Sequence, residues 1–231
     1  MEMMHRKTTV VARRQKSEGG NVIIEFALVA PFLMLLLAGV FTIGMSLNRS
    51  IQCSNVCRNA NVLVVRSINL VTPENQRMLI RSASGLGFNI SGTDSPDPAG
   101  KGAIYVTKVV RVGNNECYAG IANWNGVAST CANWGEYVIA QRVAMANTTR
   151  WGSALGSPAT TLLSDGSVTD ADLATNTANR AVGFSKVDNG TGIIYLDNSL
   201  YAYVCEVFAD ASELNMLPWL QAPNIAVRNV S

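Results

Sequence analysis

Hydrophobic residues are spread unevenly along the chain, and their spacing changes twice. The 23-residue stretch from Phe26 to Asn48, FALVAPFLMLLLAGVFTIGMSLN, contains no charged side chain. As an α-helix it has a length of about 35 Å, which is enough to cross a hydrocarbon core of about 30 Å. The alternative is a buried core helix, but such helices are rarely apolar on every side for about six turns. The pattern therefore predicts a membrane-spanning helix.

Beyond Asn48 the hydrophobic residues recur every three or four positions, the spacing of one helix face. The residues of this stripe are Cys53, Val56, Cys57, Ala60, Leu63, Val64, Ile68 and Val71. The pattern predicts one helix of about 50 residues, half in lipid and half amphipathic. Thr72, Pro73 and Glu74 then predict the start of a second helix, which runs to about Leu86.

Alternation with a period of two begins at Ile104. The predicted strands are residues 104–112, 137–145 and 200–208, and residues 193–196 are expected to form a hairpin with the last of them. Residues 89–102 have the composition of a loop. An amphipathic helix followed by short strands predicts an α+β fold, with a small antiparallel sheet packed on the helix.

The charges are also uneven. Residues 1–20 carry five basic side chains and two acidic ones, which leaves 13 basic and 14 acidic residues in 21–231. By the positive-inside rule, residues 1–20 stay in the cytoplasm and the chain after Asn48 is exported. No basic face is expected on the exported part, so nucleic-acid binding is not expected either.

Two features stand at the start of the apolar run. Gly19 and Gly20 precede it, and a single carboxylate, Glu25, interrupts it. A carboxylate at the edge of a membrane segment is costly and tends to mark a functional partner. The alternative is that Glu25 lies in the headgroup zone, where the cost is small, and the residues alone leave this open.

The segment GGNVIIEFALVAPFLMLLLAGVFTIG resembles the start of TadE-like minor pilins of tight-adherence (Flp-type) pili. In type IV pilins generally, a basic leader ends in Gly, a prepilin peptidase cuts after it, and the fifth mature residue is Glu. The resemblance implies cleavage between Gly20 and Asn21, with Glu25 as the fifth residue. Phe26 and Pro31 also fit the pattern, whereas Asn21 is larger than the residue expected there. A weaker likeness lies in the late strand, which ends in Glu-Val-Phe.

The resemblance implies a non-catalytic minor pilin or pseudopilin in a Tad/Flp-type pilus or secretion apparatus. Its partners would be the prepilin peptidase, other minor pilins, the major Flp pilin and inner-membrane platform proteins. The protein would cross the bacterial inner membrane once, with its N-terminus cytoplasmic and its C-terminal domain periplasmic or extracellular. Incorporation into the pilus is left open.

Glu25 has a specific expected role. Cleavage frees an α-amino group on a membrane helix, and an unpaired cation at that depth is costly. The resemblance implies that Glu25 pairs with this amine on a neighbouring subunit and so fixes the axial register. Pro31 lacks an N–H donor and predicts a kink in the helix.

These expectations divide the chain into parts. The parts are a cleaved basic leader (1–20), a transmembrane segment (21–48), an amphipathic stem helix with a second helix (49–88), and an exported β-rich domain (103–231) with a partly irregular insertion at about 147–191. Two other interpretations stay open. One is a periplasmic binding domain or enzyme on an uncleaved signal anchor, and the other is a pseudopilin of a different type IV-like secretion machine.

Candidate chemistry is sparse. His5 is the sole histidine and lies in the leader, so the mature chain would lack histidine-dependent catalysis and His-containing zinc sites. No catalytic residue, metal site or cofactor is expected. Cys53 and Cys57 are four residues apart on the apolar stripe and are expected to be buried small side chains rather than a metal pair. The aspartates at 94, 97, 165, 170 and 172 do not match an EF-hand loop.

Cys117 and Cys131 bracket a loop between two predicted strands. A disulfide there would stabilise the exported domain by about 3 kcal/mol in the chain-entropy model, and two free thiols are the alternative. The four tryptophans, Trp124, Trp134, Trp151 and Trp219, lie in or near loops. They are expected to fill the core or to form a contact surface for other subunits.

Overall fold

The computed structural model describes residues 19–91, 96–184, 196–210 and 224–231. The chain divides into two compact units, Met1–Phe41 and Thr42–Ser231. Most of the predicted leader, residues 193–195 of the predicted hairpin, Asp94 and Trp219 lie outside the described residues.

The first element is a 47-residue helix, α1, at Gly19–Val65. It ends before the hydrophobic stripe does, because Ser67 adopts a left-handed backbone conformation with φ of 59°. The Ser67 N–H donates to the Val64 carbonyl at 2.8 Å, and the Ile68 N–H donates to the Leu63 carbonyl at 3.0 Å. This pair of bonds is a Schellman cap, in which glycine is the usual left-handed residue. Since serine stands there instead, the sequence carries no stop signal at this point.

The second helix, α2, covers Pro73–Ser82 and starts at the predicted proline. It is shorter than predicted. A 3₁₀ turn at Ser84–Leu86 follows it, and Gly87 closes that turn with a left-handed φ of 83°. The helical segment therefore ends near the predicted residue Leu86, but its last turn is 3₁₀ rather than α-helical.

The sheet has four antiparallel strands in the order β2-β1-β3-β4. They are β1 at Gly102–Arg111, β2 at Tyr137–Ala146, β3 at Tyr201–Ala209 and β4 at Ile225–Val230. The first three lie within two residues of the predicted strands, whereas β4 was not predicted. The α+β fold expected from the sequence is confirmed.

The second half of α1 packs on one face of this sheet. Cys53, Val56, Cys57 and Ala60 are all at most 2% exposed and share a core with Ile104, Val106, Val143, Met145, Cys205 and Val207. Leu79 and Ile80 of α2 complete the same core. The stripe predicted from the sequence is thus the surface by which α1 docks on the sheet.

A disulfide joins α1 to β3 through Cys57 and Cys205, which are 148 residues apart in the sequence. This corrects the expectation that Cys57 is simply a buried thiol. The third cysteine of this core, Cys53, is free, and burial raises the pKa of its thiol to about 11. Cys53 therefore stays protonated and behaves as a small apolar side chain.

The other end of the same sheet face is covered by two short helices, α3 at Asn114–Gly120 and α4 at Asp170–Thr175. A disulfide links Cys117, which lies in α3, to Cys131. Trp124 is buried in this cluster, and its indole N–H donates to the Thr130 hydroxyl at 2.9 Å. Trp134 packs against the cluster from its edge, 5.7 Å from Trp124 between ring centroids.

The opposite face of the sheet carries a buried polar group beneath the segment that contains Ser153, Ala154 and Gly156. Glu206 is 2% exposed and accepts hydrogen bonds from Arg228 at 3.0 Å, from the Ala154 N–H at 3.2 Å and from the Ser153 hydroxyl. The Arg142 guanidinium donates to the Thr107 hydroxyl at 3.1 Å and to the Gly156 carbonyl. Buried charges need such partners, and here the partners fix a segment that has little helix or strand of its own.

The two disulfides differ in loop length, and this leads to a stability prediction. Removing the Cys57–Cys205 bridge by a Cys57→Ala/Cys205→Ala double change should lower the free energy of unfolding by about 5 kcal/mol, and removing the Cys117–Cys131 bridge by about 3 kcal/mol. Denaturation followed by tryptophan fluorescence measures both values. Cys53→Ala is the control and should cost about 1 kcal/mol or less. Equal losses for all three variants would contradict this assignment of the bridges.

Candidate functional site

The first half of α1 is apolar and exposed along its length. The side chains of Phe26 and Leu37 are 71% and 70% exposed, and no residue in the most apolar 18-residue stretch is buried. The second half of the same helix is different, since Cys53, Val56, Cys57 and Ala60 are at most 2% exposed. The first half of this continuous helix therefore exposes its apolar side chains, whereas the second half buries these four.

This burial pattern separates two interpretations of the apolar run. A core helix of a soluble domain hides its apolar side chains in protein, and this helix does not. Its length and composition are sufficient to cross a membrane, and it lies near the N-terminus. It is therefore a candidate anchor for a single-pass membrane protein.

The predicted processing residues lie at the very start of α1. The backbone at Gly20 and Asn21 is already helical. Asn21 and Glu25 are four residues apart, so they occupy the same helix face about 6 Å apart along the axis. An amine created at Asn21 and the Glu25 carboxylate would thus stand one turn apart on one face.

Glu25 is exposed and is the one charged residue of α1 before Arg49. Within the described part of the chain it makes no ion pair or hydrogen bond through its side chain. Its neighbour Phe26 is exposed as well. Both residues that the motif singles out are thus exposed in the described part of the chain.

Pro31 lies inside α1, and helical structure continues on both sides of it. Its ring removes one N–H donor from the helix ladder. A kink at this residue stays a prediction.

The family model of TadE-like proteins matches residues 20–60. The matched residues make up most of α1, so this segment is similar to TadE-like proteins. The match is consistent with a Tad pilus-associated protein. No curated protein and no solved structure matches the chain at a significant level.

The TadE-like match extends beyond the apolar run. It ends at Ala60 and so includes Cys53, Val56 and Cys57, the residues by which α1 docks on the sheet. The matched segment therefore contains both the candidate anchor and the first four residues of the stripe that packs on the sheet.

The other predicted site residues are separate from this segment. Cys117 and Cys131 belong to the second unit, and the residues from Gly20 to Pro31 belong to the first. Among the described residues, no group of three or more His, Cys, Asp or Glu side chains is placed to hold a metal ion. Cys57 is bonded to Cys205 and is not available as a thiolate ligand beside Cys53.

Sequence reasoning missed the partner of Cys57. The signal available in the sequence was the position of Cys205 within a predicted strand whose alternation turns it toward the helix. The strand that lies against Cys57 is determined by how the strands pair in the sheet. A short segment of sequence does not show this pairing.

If the first half of α1 lies in lipid, a charge at its centre must be costly. Leu37→Arg should destabilise the inserted helix by about 3 kcal/mol and lower the fraction of chain that alkaline carbonate leaves in the membrane. Ile51→Arg is the matched control, since Ile51 is 60% exposed on the same helix but lies beyond the apolar run. Equal extraction of the two variants would contradict a membrane location.

Proposed function

We propose that the protein is a minor pilin of a Tad/Flp-type pilus or secretion apparatus, made as a precursor and cleaved between Gly20 and Asn21. The single observation that carries the proposal is the coincidence of the TadE-like match with a helix whose apolar half is not buried by any described residue. A cleaved helix of this kind stays in the bilayer and presents a new amine. The role is structural, in assembly or modulation of the machine.

Two features support an orientation with the N-terminus in the cytoplasm: the distribution of charged residues and the two disulfides. The leader carries the excess of basic residues, which favours a cytoplasmic N-terminus. The second unit contains two disulfides, which persist in oxidising compartments and are rare in the cytosol. Both features support an exported second unit.

The proposed partners are proteins that would contact the leader and the first turns of α1. The prepilin peptidase would recognise the leader and the residues around Gly20. Other minor pilins, the major Flp pilin and the inner-membrane platform would contact the membrane helix. Glu25 is the residue we assign to pairing, because it is an exposed carboxylate without a partner among the described residues, and leaving a charge unpaired in lipid is costly.

The N-terminus of the chain recovered from host membranes tests the processing step. Asn21 is the expected first residue. Met1 would instead support a signal-anchored binding domain or enzyme, and a start beyond Ala38 would indicate an ordinary secreted domain. Mass spectrometry of the N-terminal peptide distinguishes the three results.

Glu25→Ala tests the pairing step. The variant should be processed normally but should be lost from complexes recovered with the other pilus components, because the amine of its neighbour has no counter-charge. Glu74→Ala, which removes an exposed carboxylate from α2, is the control and should be incorporated like the unaltered chain. Normal incorporation of Glu25→Ala would refute the pairing role.

A further inference from the structure

The outer face of α1 and α2 carries three exposed arginines, Arg58, Arg66 and Arg81, that have no partner among the described residues. Residues 49–88 contain five arginines and one carboxylate, Glu74. Arg58, Arg66 and Arg81 are exposed, and within the described residues their side chains make no ion pair or hydrogen bond. This helix face is thus strongly cationic in a unit of nearly neutral charge.

The same face contains a small apolar cleft between the two helices, here called the α1–α2 cleft. Its volume is about 180 Å³, and it is lined by Asn59, Val62, Leu63, Met78, Leu79 and Ser82. Val62 and Met78 are 48% and 57% exposed. Arg58 and Arg66 lie one turn from Val62, and Arg81 lies about one turn from Met78. Apolar side chains ringed by unpaired cations are typical of a contact surface.

A groove of opposite charge lies on the sheet between the end of α1 and the α3–α4 pair, here called the carboxylate groove. It encloses about 810 Å³ and contains three carboxylates, Glu116, Asp165 and Asp170, against one lysine, Lys108. The Lys108 ammonium lies 4.2 Å from the centroid of the Tyr201 ring, so part of its charge is directed at an aromatic face. Hydrogen bonds from Ser167 hold the pKa of Asp165 below its usual value, so that this carboxylate is charged.

The carboxylate groove also offers apolar surface to a partner. Leu163 and Tyr201 line it and are 51% and 54% exposed. The β-bulge opposite Lys108 and Val109 turns both Ala140 and Gln141 toward this side of the sheet, which widens its floor. The two surfaces are therefore complementary. Both contain exposed apolar side chains, but the α1–α2 cleft has three positive charges around it and the carboxylate groove contains three negative ones.

We propose that the α1–α2 cleft of one copy docks in the carboxylate groove of a second copy. The inference rests on the proposed function, in which subunits stack, and names a second copy of this chain as the partner. The arginines and carboxylates do not pair with one another within a copy. Two different, mutually complementary patches on one subunit give a head-to-tail contact, which continues from copy to copy instead of closing as a twofold dimer.

The net charge of the chain does not oppose this contact. Residues 21–231 carry 13 basic and 14 acidic side chains, so two mature copies have no large like-charge repulsion. Local attraction between the patches then decides the orientation, as charge complementarity generally does at interfaces.

The test uses the full chain in membranes of its host, with a photo-crosslinking residue at position 78 in the α1–α2 cleft. Irradiation should give a crosslinked dimer whose link joins residue 78 to the carboxylate groove.

Arg58→Glu with Arg81→Glu should lower the dimer yield roughly tenfold, because the change turns attraction into repulsion. Asp165→Arg with Asp170→Arg should lower it by the same factor for the same reason. Combining all four changes should restore the yield. Asp197→Arg is an exposed charge reversal outside both patches and should leave the yield unchanged.

Each outcome decides the proposal. Restoration by the four-fold variant supports the contact, whereas unchanged yields in the two charge-reversed variants, or no restoration, overturn it. Crosslinks to another protein alone overturn the choice of a second copy as the partner. The disulfide pattern on a non-reducing gel checks that each variant is folded, and leader removal is scored on the same samples. Retained leaders with normal dimers would refute the proposed function and leave the contact standing.

Discussion

One helix must satisfy two different surroundings. The first half of α1 is exposed and uncharged apart from Glu25, and the second half buries Cys53, Val56, Cys57 and Ala60 against the sheet. In water, an apolar helix of this length would expose a contiguous surface far larger than soluble proteins tolerate. The rest of the structure depends on this constraint, because the domain must hold one half of the helix firmly while leaving the other half free for lipid or for neighbouring helices.

The two faces of the sheet are covered by different parts of the chain. On the helix face, α1 and α2 cover one end and α3 and α4 cover the other, which leaves the carboxylate groove between them. On the opposite face, Glu206 and Arg142 bind backbone and hydroxyl groups of the segment that follows β2. The Cys57–Cys205 bridge adds a covalent link at the point where α1 crosses β3. The docked half of the helix is thereby held by both packing and a covalent bond.

Local patterns predicted much of this arrangement. The charge-free run, the stripe beginning at Cys53 and the alternation in β1 to β3 each depend on periodicity within one segment, and the sequence shows it directly. The end of α1 was predicted too late because Ser67 adopts a conformation usually reserved for glycine. The strand β4 was missed because IAVRNV is short and lies at a sheet edge. The Cys57–Cys205 bridge depends on strand pairing across 148 residues, which no local pattern encodes.

The central claim is that α1 crosses the membrane with its docked half and the sheet on the exported side. The most direct measurement is the accessibility of an epitope tag placed after Ser231, probed with an impermeant protease in intact spheroplasts and in inverted membrane vesicles. The account predicts that the tag is digested in spheroplasts and protected in inverted vesicles. Digestion of the tag in inverted vesicles and its protection in spheroplasts would contradict the account.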